Sequence, residues 1–567
     1  MKKNEKKKLQ ELVELLRDSC KELKRQEAGA FLDLCAQIQE FTGSVYGYAE
    51  QIVGEGHELL KKLEELYKSI YLVSTGELDV KMLMDLVKEL LKMAKTLQID
   101  KIEVAFFCYK ASMADCLESI YFAAKNDPSC EVHFIPIPYY DKKPDGSFDQ
   151  MYFEGADCYP ESYELTDWRK YDVEERRPDV IFIMNPYDDL NLVTSVHPNF
   201  YSSRLKHYTD CLIHMDYGMN LWAYTNPQEH EAELNLKGRL MPAQCNSDYV
   251  IVFRQPMADI LKMTFKQNAD VVQQSGMSLK TIDTKVLALG SPKFDKILSD
   301  HEDKFVLPVE WKRKIDGKKV MLLNTSLAYL LRQSAQQAAE EGNYKIEDDR
   351  YFVKLKKILE AYKDREDIML WWRPHPLFES TLKSMRPRHY QYYRMIVKEF
   401  VESDQGIFDT TEDLHRAIFF SDGMLSDMSS LIWLYMATGK PFTIIEDAKK
   451  LGWKQEWRIQ KGPIFGYPLQ RRIARMRRMI GPNKIEMAYD MDWGIFTEYD
   501  SWNMESYSDF EKRFIHLIVN SETYAAFSEY RKLQLQIFRE NIPHSNGTAG
   551  QKIYDFAKQK ALENLEK

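Results

Sequence analysis

Ile368-Met-Leu-Trp-Trp-Arg-Pro-His-Pro376 is a short apolar run that stops abruptly at a proline-bracketed histidine, and it sets the reading of the whole chain. The run reads as a buried strand, and the prolines on either side of His375 fix the backbone as it leaves that strand. Arg373 and His375 then stand at a strand's carboxyl end, where both could donate to a phosphate. Similar short runs lie around it at Val320 to Asn324, Gly406 to Phe408, Gly423 to Leu425 and Phe442 to Ile445. Helical patterns at Tyr351 to Tyr362, Glu412 to Phe419 and Ser430 to Ala437 separate them. Strands alternating with helices predict a doubly wound parallel sheet.

The same texture occurs upstream. Strands are expected at Lys101 to Cys108, Glu131 to Ile137, Asp179 to Met184, Asp210 to Met215, Tyr249 to Phe253 and Val286 to Leu289, with a helix from Ser112 to Asn126. The expected fold class is therefore α/β, with two Rossmann-like domains facing across a cleft. Ligands of such sheets bind at the carboxyl ends of the strands. Before Lys101 the pattern is helical, with leucines at three- and four-residue spacing. Thr42-Gly43-Ser44 and Ser74-Thr75-Gly76 are expected to interrupt it, giving two long helices and a shorter one capped by Gly76 or Asp79. The expected domains are 1–98 (helical hairpin or bundle), 99–290 (acceptor side) and 291–567 (donor side, with C-terminal helices).

Composition bounds the function classes. The chain has 567 residues, 44% hydrophobic and 29% charged, which is globular rather than disordered. A net charge of −9, from 78 basic and 87 acidic residues, excludes a chain-wide footprint for nucleic acid. All eight cysteines precede position 246 and no pair forms CxxC, so reduced thiols in the cytoplasm are expected. The basic start carries no apolar core of a secretory signal, and no run approaches the ~20 residues of a bilayer span. GxGxxG, GxxxxGK[ST] and HExxH are all missing from the sequence, so no dinucleotide, P-loop or zinc chemistry is expected, and no cofactor or metal.

Ser421-Asp-Gly-Met-Leu-Ser-Asp-Met-Ser-Ser430 leads into the apolar helix that starts near Leu431. Ser429 and Ser430 there could cap the helix or cradle a phosphate. Taken with Arg373-Pro-His-Pro376 and Gly439-Lys-Pro441, this order of motifs resembles the C-terminal domain of the CDP-glycerol glycerophosphotransferases, the teichoic acid primases and polymerases. Leu289-Gly-Ser-Pro-Lys-Phe-Asp295 and His544-Ser-Asn-Gly-Thr-Ala-Gly-Gln551 are similar to two further segments of that family, with Lys293 replacing its arginine and the acidic and arginine positions of the second segment lost. The likeness runs from about Lys101 to Lys560.

The resemblance implies a GT-B fold and transfer of glycerol phosphate from a CDP-linked donor to a surface polymer or lipid-linked acceptor. It implies His375, Arg373, Asp427, Ser429, Ser430 and Gly290 on the donor side. It also implies a base after a strand of the acceptor-side domain, for which His214 in Cys211-Leu-Ile-His-Met-Asp-Tyr-Gly218 is the candidate, with Asp216 orienting it. An imidazole titrating near ~6.5 suits that role. Two alternatives stay open: a GT-B glycosyltransferase that uses a nucleotide sugar for a surface glycan, and a non-catalytic GT-B-like scaffold. A homodimer through the N-terminal helices and an intramolecular bundle suit the sequence equally. Arg471 to Arg478 holds five arginines in eight residues and fits a solvated helix face or a peripheral contact with an anionic membrane surface. Asp490-Met-Asp492 is taken as a chance DxD triplet.

Overall fold

The computed structural model describes residues 1–26, 28–143, 145–191, 194–218, 240–269, 281–299, 305–326, 350–411, 413–427, 429–444, 515, 518–521 and 528–565. Arg471 to Arg478 and Asp490 to Asp492 lie outside the described residues.

Four helices precede the first strand: α1 (Lys3–Glu22), α2 (Ala28–Val53), α3 (Glu58–Ser74) and α4 (Val80–Thr96). Their apolar stripes meet in one core that includes Leu9, Leu16, Ile38, Leu63, Leu66, Val87 and Leu90. This is one helix more than the sequence pattern suggests. Thr42-Gly43-Ser44 does not break α2, because the Thr42 hydroxyl donates to the Ile38 carbonyl (2.7 Å) and is satisfied within the helix. The break comes instead at Gly54 and Gly56, both in the left-handed region (φ +79° and +80°). Asp79 caps α4, accepting from the Lys81 N–H at 2.6 Å.

Among the described residues fourteen strands follow: β1 (Ile102–Cys108), β2 (Cys130–Pro136), β3 (Tyr139–Lys142), β4 (Phe148–Tyr152), β5 (Val180–Ile183), β6 (Thr194–Val196), β7 (Leu212–Met215), β8 (Tyr249–Val252), β9 (Val286–Ala288), β10 (Lys319–Thr325), β11 (Ile368–Pro374), β12 (Gly406–Phe408), β13 (Gly423–Ser426) and β14 (Phe442–Ile444). They form a six-stranded sheet in the order β2-β1-β5-β7-β8-β9 and a five-stranded sheet in the order β12-β11-β10-β13-β14. Every pairing within these two sheets is parallel. The chain is α/β with two Rossmann-like sheets, the GT-B arrangement. β3, β4 and β6 make a small antiparallel sheet that the sequence pattern did not reveal. β4 is almost wholly exposed, so it carries no buried apolar run.

Strand order reverses between β1 and β5 in the first sheet and between β10 and β13 in the second. Such reversals open a crevice at the carboxyl ends of the strands, the usual place for a ligand. Two segments tie the halves together. The linker helix Pro292–Ser299 follows Gly290 (φ +86°), where an added Cβ would approach the Pro543 carbonyl oxygen to 2.4 Å. Helix Ala549–Leu565 then returns to the first sheet's core, burying Ile553, Tyr554, Ala557 and Ala561 there. Asp295 fastens the return by accepting from the N–H groups of Ala549 (3.1 Å) and Gly550 (2.7 Å) and from the Ser119 hydroxyl (2.8 Å). The two motifs around Gly290 and His544 thus meet in one joint.

Candidate functional site

His375 leaves β11 beside the carboxyl end of β10, its backbone N–H donating to the Thr325 carbonyl at 2.9 Å. Its Nδ1 accepts the Leu377 N–H at 3.1 Å. That bond leaves the ring proton on Nε2, so the neutral imidazole presents a donor. His375 is exposed at the crevice, yet surrounding protein lowers its pKa, and the Lys110 ammonium adds to the effect. Lys110 belongs to the first half, two residues beyond β1, and its Nζ lies 4.7 Å from the centre of the Tyr139 ring. Lys110 and His375 thus each follow the carboxyl end of a strand, β1 in the first sheet and β11 in the second. Lys110 escaped the sequence reading, although a cation immediately after a strand's carboxyl end was the available signal.

The other donor-side candidates divide. Ser429 lies two strands from His375 in the sheet order, with β10 between, so their strands are separated by ~10 Å. Its hydroxyl accepts the Leu431 N–H at 3.1 Å, an ordinary cap of a helix only seven residues long (Leu431–Ala437). Ser430 is exposed. Asp427 is fully buried and taken up by the Ser326 N–H (2.7 Å) and the Lys354 ammonium (3.0 Å). Arg373 is also buried, with Nη1 2.8 Å from Asp409 and Nη2 donating to the Thr411 carbonyl at 2.6 Å. Asp409 further accepts from the Trp371 indole (3.0 Å) and the Thr411 hydroxyl (2.7 Å). Arg373 and Asp427 brace the strand ends, and neither is free to grip a ligand. Gly290 serves the close approach of Pro543.

On the acceptor side, His214 lies within β7, wholly covered, and among the described residues neither ring nitrogen has a hydrogen-bond partner. Burial lowers its pKa to about 4, with the Met184 carbonyl opposing. A base has to reach the hydroxyl it deprotonates, and in this conformation His214 does not. Asp216 does not orient it either. Asp216 stands past the strand end, half-buried, with Oδ1 accepting the Gly218 N–H at 2.9 Å. Burial raises its pKa to about 6, against the pull of that N–H and of Lys293.

Lys293 is 3.1 Å from Asp115, whose other oxygen is 3.1 Å from Nε2 of His415 in the second half. This buried clasp spans the first sheet's loop, the linker helix and helix Leu414–Phe420. The sequence reading missed it because its paired members are far apart in the chain, Asp115 and His415 by 300 residues. A second charged cluster joins the helical bundle to the first sheet. Ligand atoms of Glu103, Glu131 and His133 lie within 4.8 Å of one another. Lys2 Nζ sits 3.0 Å from each carboxylate and Arg176 contacts both, so two cations already balance the two charges.

No family model matches the sequence, and no curated protein does. Among solved structures, the chain is similar to a UDP-N-acetylglucosamine 2-epimerase, described as putative, from Listeria monocytogenes (12% identity, 82% of this chain and 97% of that one, TM-score 0.42). It is also similar to the wall teichoic acid polymerase TagF (14% identity, 90% and 99%, TM-score 0.38) and to S. aureus MnaA bound to UDP (12% identity, 82% and 97%, TM-score 0.40). Among the described residues no helix is long and apolar enough to cross a membrane.

Proposed function

We propose that this chain is a transferase that moves a polyol phosphate, glycerol phosphate by its motifs, from a CDP-linked donor to a hydroxyl of a surface polymer or lipid-linked acceptor. The observation that carries the reading is the exposed imidazole of His375, whose Nδ1 is taken by the Leu377 N–H so that Nε2 is left as a donor at the carboxyl end of β11, with the Lys110 ammonium of the first sheet acting on its pKa. The two supply a neutral N–H donor from one sheet and a cation from the other, a pairing suited to a diphosphate. The acceptor oxygen attacks the phosphorus that bears the polyol. A new P–O bond forms, the bond to the bridging oxygen breaks, and CMP leaves. His375 and Lys110 stabilise charge on the phosphate oxygens, while Arg373 and Asp427 hold the strand ends that aim them. Fixed donors of this kind are worth ~10² to 10³ in rate.

The test is CMP release from CDP-glycerol by wild type and His375→Ala. A loss of that size with an unchanged circular dichroism spectrum is expected, and equal rates remove His375 from the mechanism. Thermal-shift comparison of CDP-glycerol, CDP-ribitol and UDP-sugars identifies the donor, because only a ligand of the native state raises the midpoint. A UDP-sugar that alone does so points to glycosyl transfer. Absence of product with every donor makes the chain a scaffold.

A further inference from the structure

We propose that Asp216 is the catalytic base that takes the acceptor hydroxyl's proton, a role resting on the transfer reading above. Its backbone continues the pairing beyond β7, with its N–H donating to the Ile251 carbonyl at 2.9 Å, so the carboxylate projects from a fixed point at the sheet's carboxyl edge. Oδ1 is engaged by the Gly218 N–H, whereas Oδ2 has no partner among the described residues, and the residue as a whole is only half-buried. One oxygen thus orients the group and the other is open to a substrate. His214, two residues earlier, has both nitrogens enclosed and offers no such opening.

Asp216 stands on the same carboxyl edge of the first sheet as Lys110. The charged groups facing it are Lys293 on the linker helix and, through Lys293, Asp115 on the loop after β1, with the Cys116 thiol next to them. Lys110 follows β1 and Asp216 follows β7, parallel strands of one sheet with β5 between them, so the two strand exits lie ~10 Å apart on the same edge. A donor held by His375 and Lys110 would have Asp216 within reach of an acceptor bound at the first sheet's edge. In the reaction the acceptor O–H bond breaks, its proton passes to Oδ2 as the O–P bond forms, and the carboxyl later releases the proton to water. A carboxyl raised to about 6 is ionised at neutral pH and still basic enough to accept it.

The test uses Asp216→Asn, which keeps an oxygen for the Gly218 N–H, in the full chain. CMP release is followed from the donor that most raises the melting midpoint, with glycerol 3-phosphate supplying the hydroxyl, from pH 5 to 8. Wild type is expected to lose activity below about pH 6. D216N is expected to lose ~10² to 10⁴ in kcat, with the acidic limb abolished and the donor-induced rise in midpoint retained. D216N with wild-type kcat and an intact acidic limb overturns the assignment while leaving the transfer reading standing. Wild type that releases no CMP from any donor overturns both. If D216N fails to fold, the wild-type profile decides: a limb near 6 supports Asp216 and a flat profile overturns it.

Discussion

Arg373 and His375 leave the same strand two residues apart and do different work. Arg373 is held by Asp409 and Thr411, and His375 faces the crevice. Asp409→Ala would strand a buried guanidinium, which typically costs ~3–5 kcal/mol. A matching fall in the urea midpoint is expected, together with weaker donor binding. Removing the Lys110 charge with Lys110→Met should raise the His375 pKa, since the ammonium lowers it; NMR titration of the imidazole measures this. His214 carries the opposite of a salt-bridge signature. Its folded pKa is depressed, so the stability it permits is present above ~6.5 and is lost as pH falls towards about 4, where the unfolded chain binds a proton the native state refuses. The drop amounts to ~3 kcal/mol. His214→Met should therefore unfold with a flatter pH dependence than wild type between pH 7 and 4. His375 was legible because its prolines mark it. The partners of Arg373 were not, because Asp409 lies 36 residues downstream on another strand's exit.

At the scale of elements, all eleven strands of the two parallel sheets were legible as short runs, most of them apolar because both faces are buried, whereas the edge strand β2 keeps Glu131 and His133 half-buried. The β4-β3-β6 sheet was not, because its strands are short and partly solvated. Nor was the continuity of α2 through Gly43, where local hydrogen bonds outweigh the propensities of three weak helix formers. The linker is a sharper case. Gly290→Ala must accept φ +86° and a 2.4 Å approach to a backbone oxygen, so something has to shift. A loss of ~1–3 kcal/mol is expected from the strained conformation, read as a lower melting midpoint. Asp295→Ala should cost a further ~1 kcal/mol or more by uncapping helix Ala549–Leu565.

For the molecule as a whole, the Lys293–Asp115–His415 clasp and the returning helix make the halves interdependent, and the motif order pointed to neither. The α1 residue Lys3 donates to the Asn564 carbonyl at 3.1 Å, so both ends of the described chain gather on the first sheet. This has a consequence for biosynthesis. The ribosome finishes β9 about 275 residues before it finishes helix Ala549–Leu565, which completes the first sheet's core. At ~5–20 residues per second, the nascent half waits tens of seconds with apolar surface uncovered. A chaperone that shields that face during translation would raise the yield of active protein more than one supplied after release.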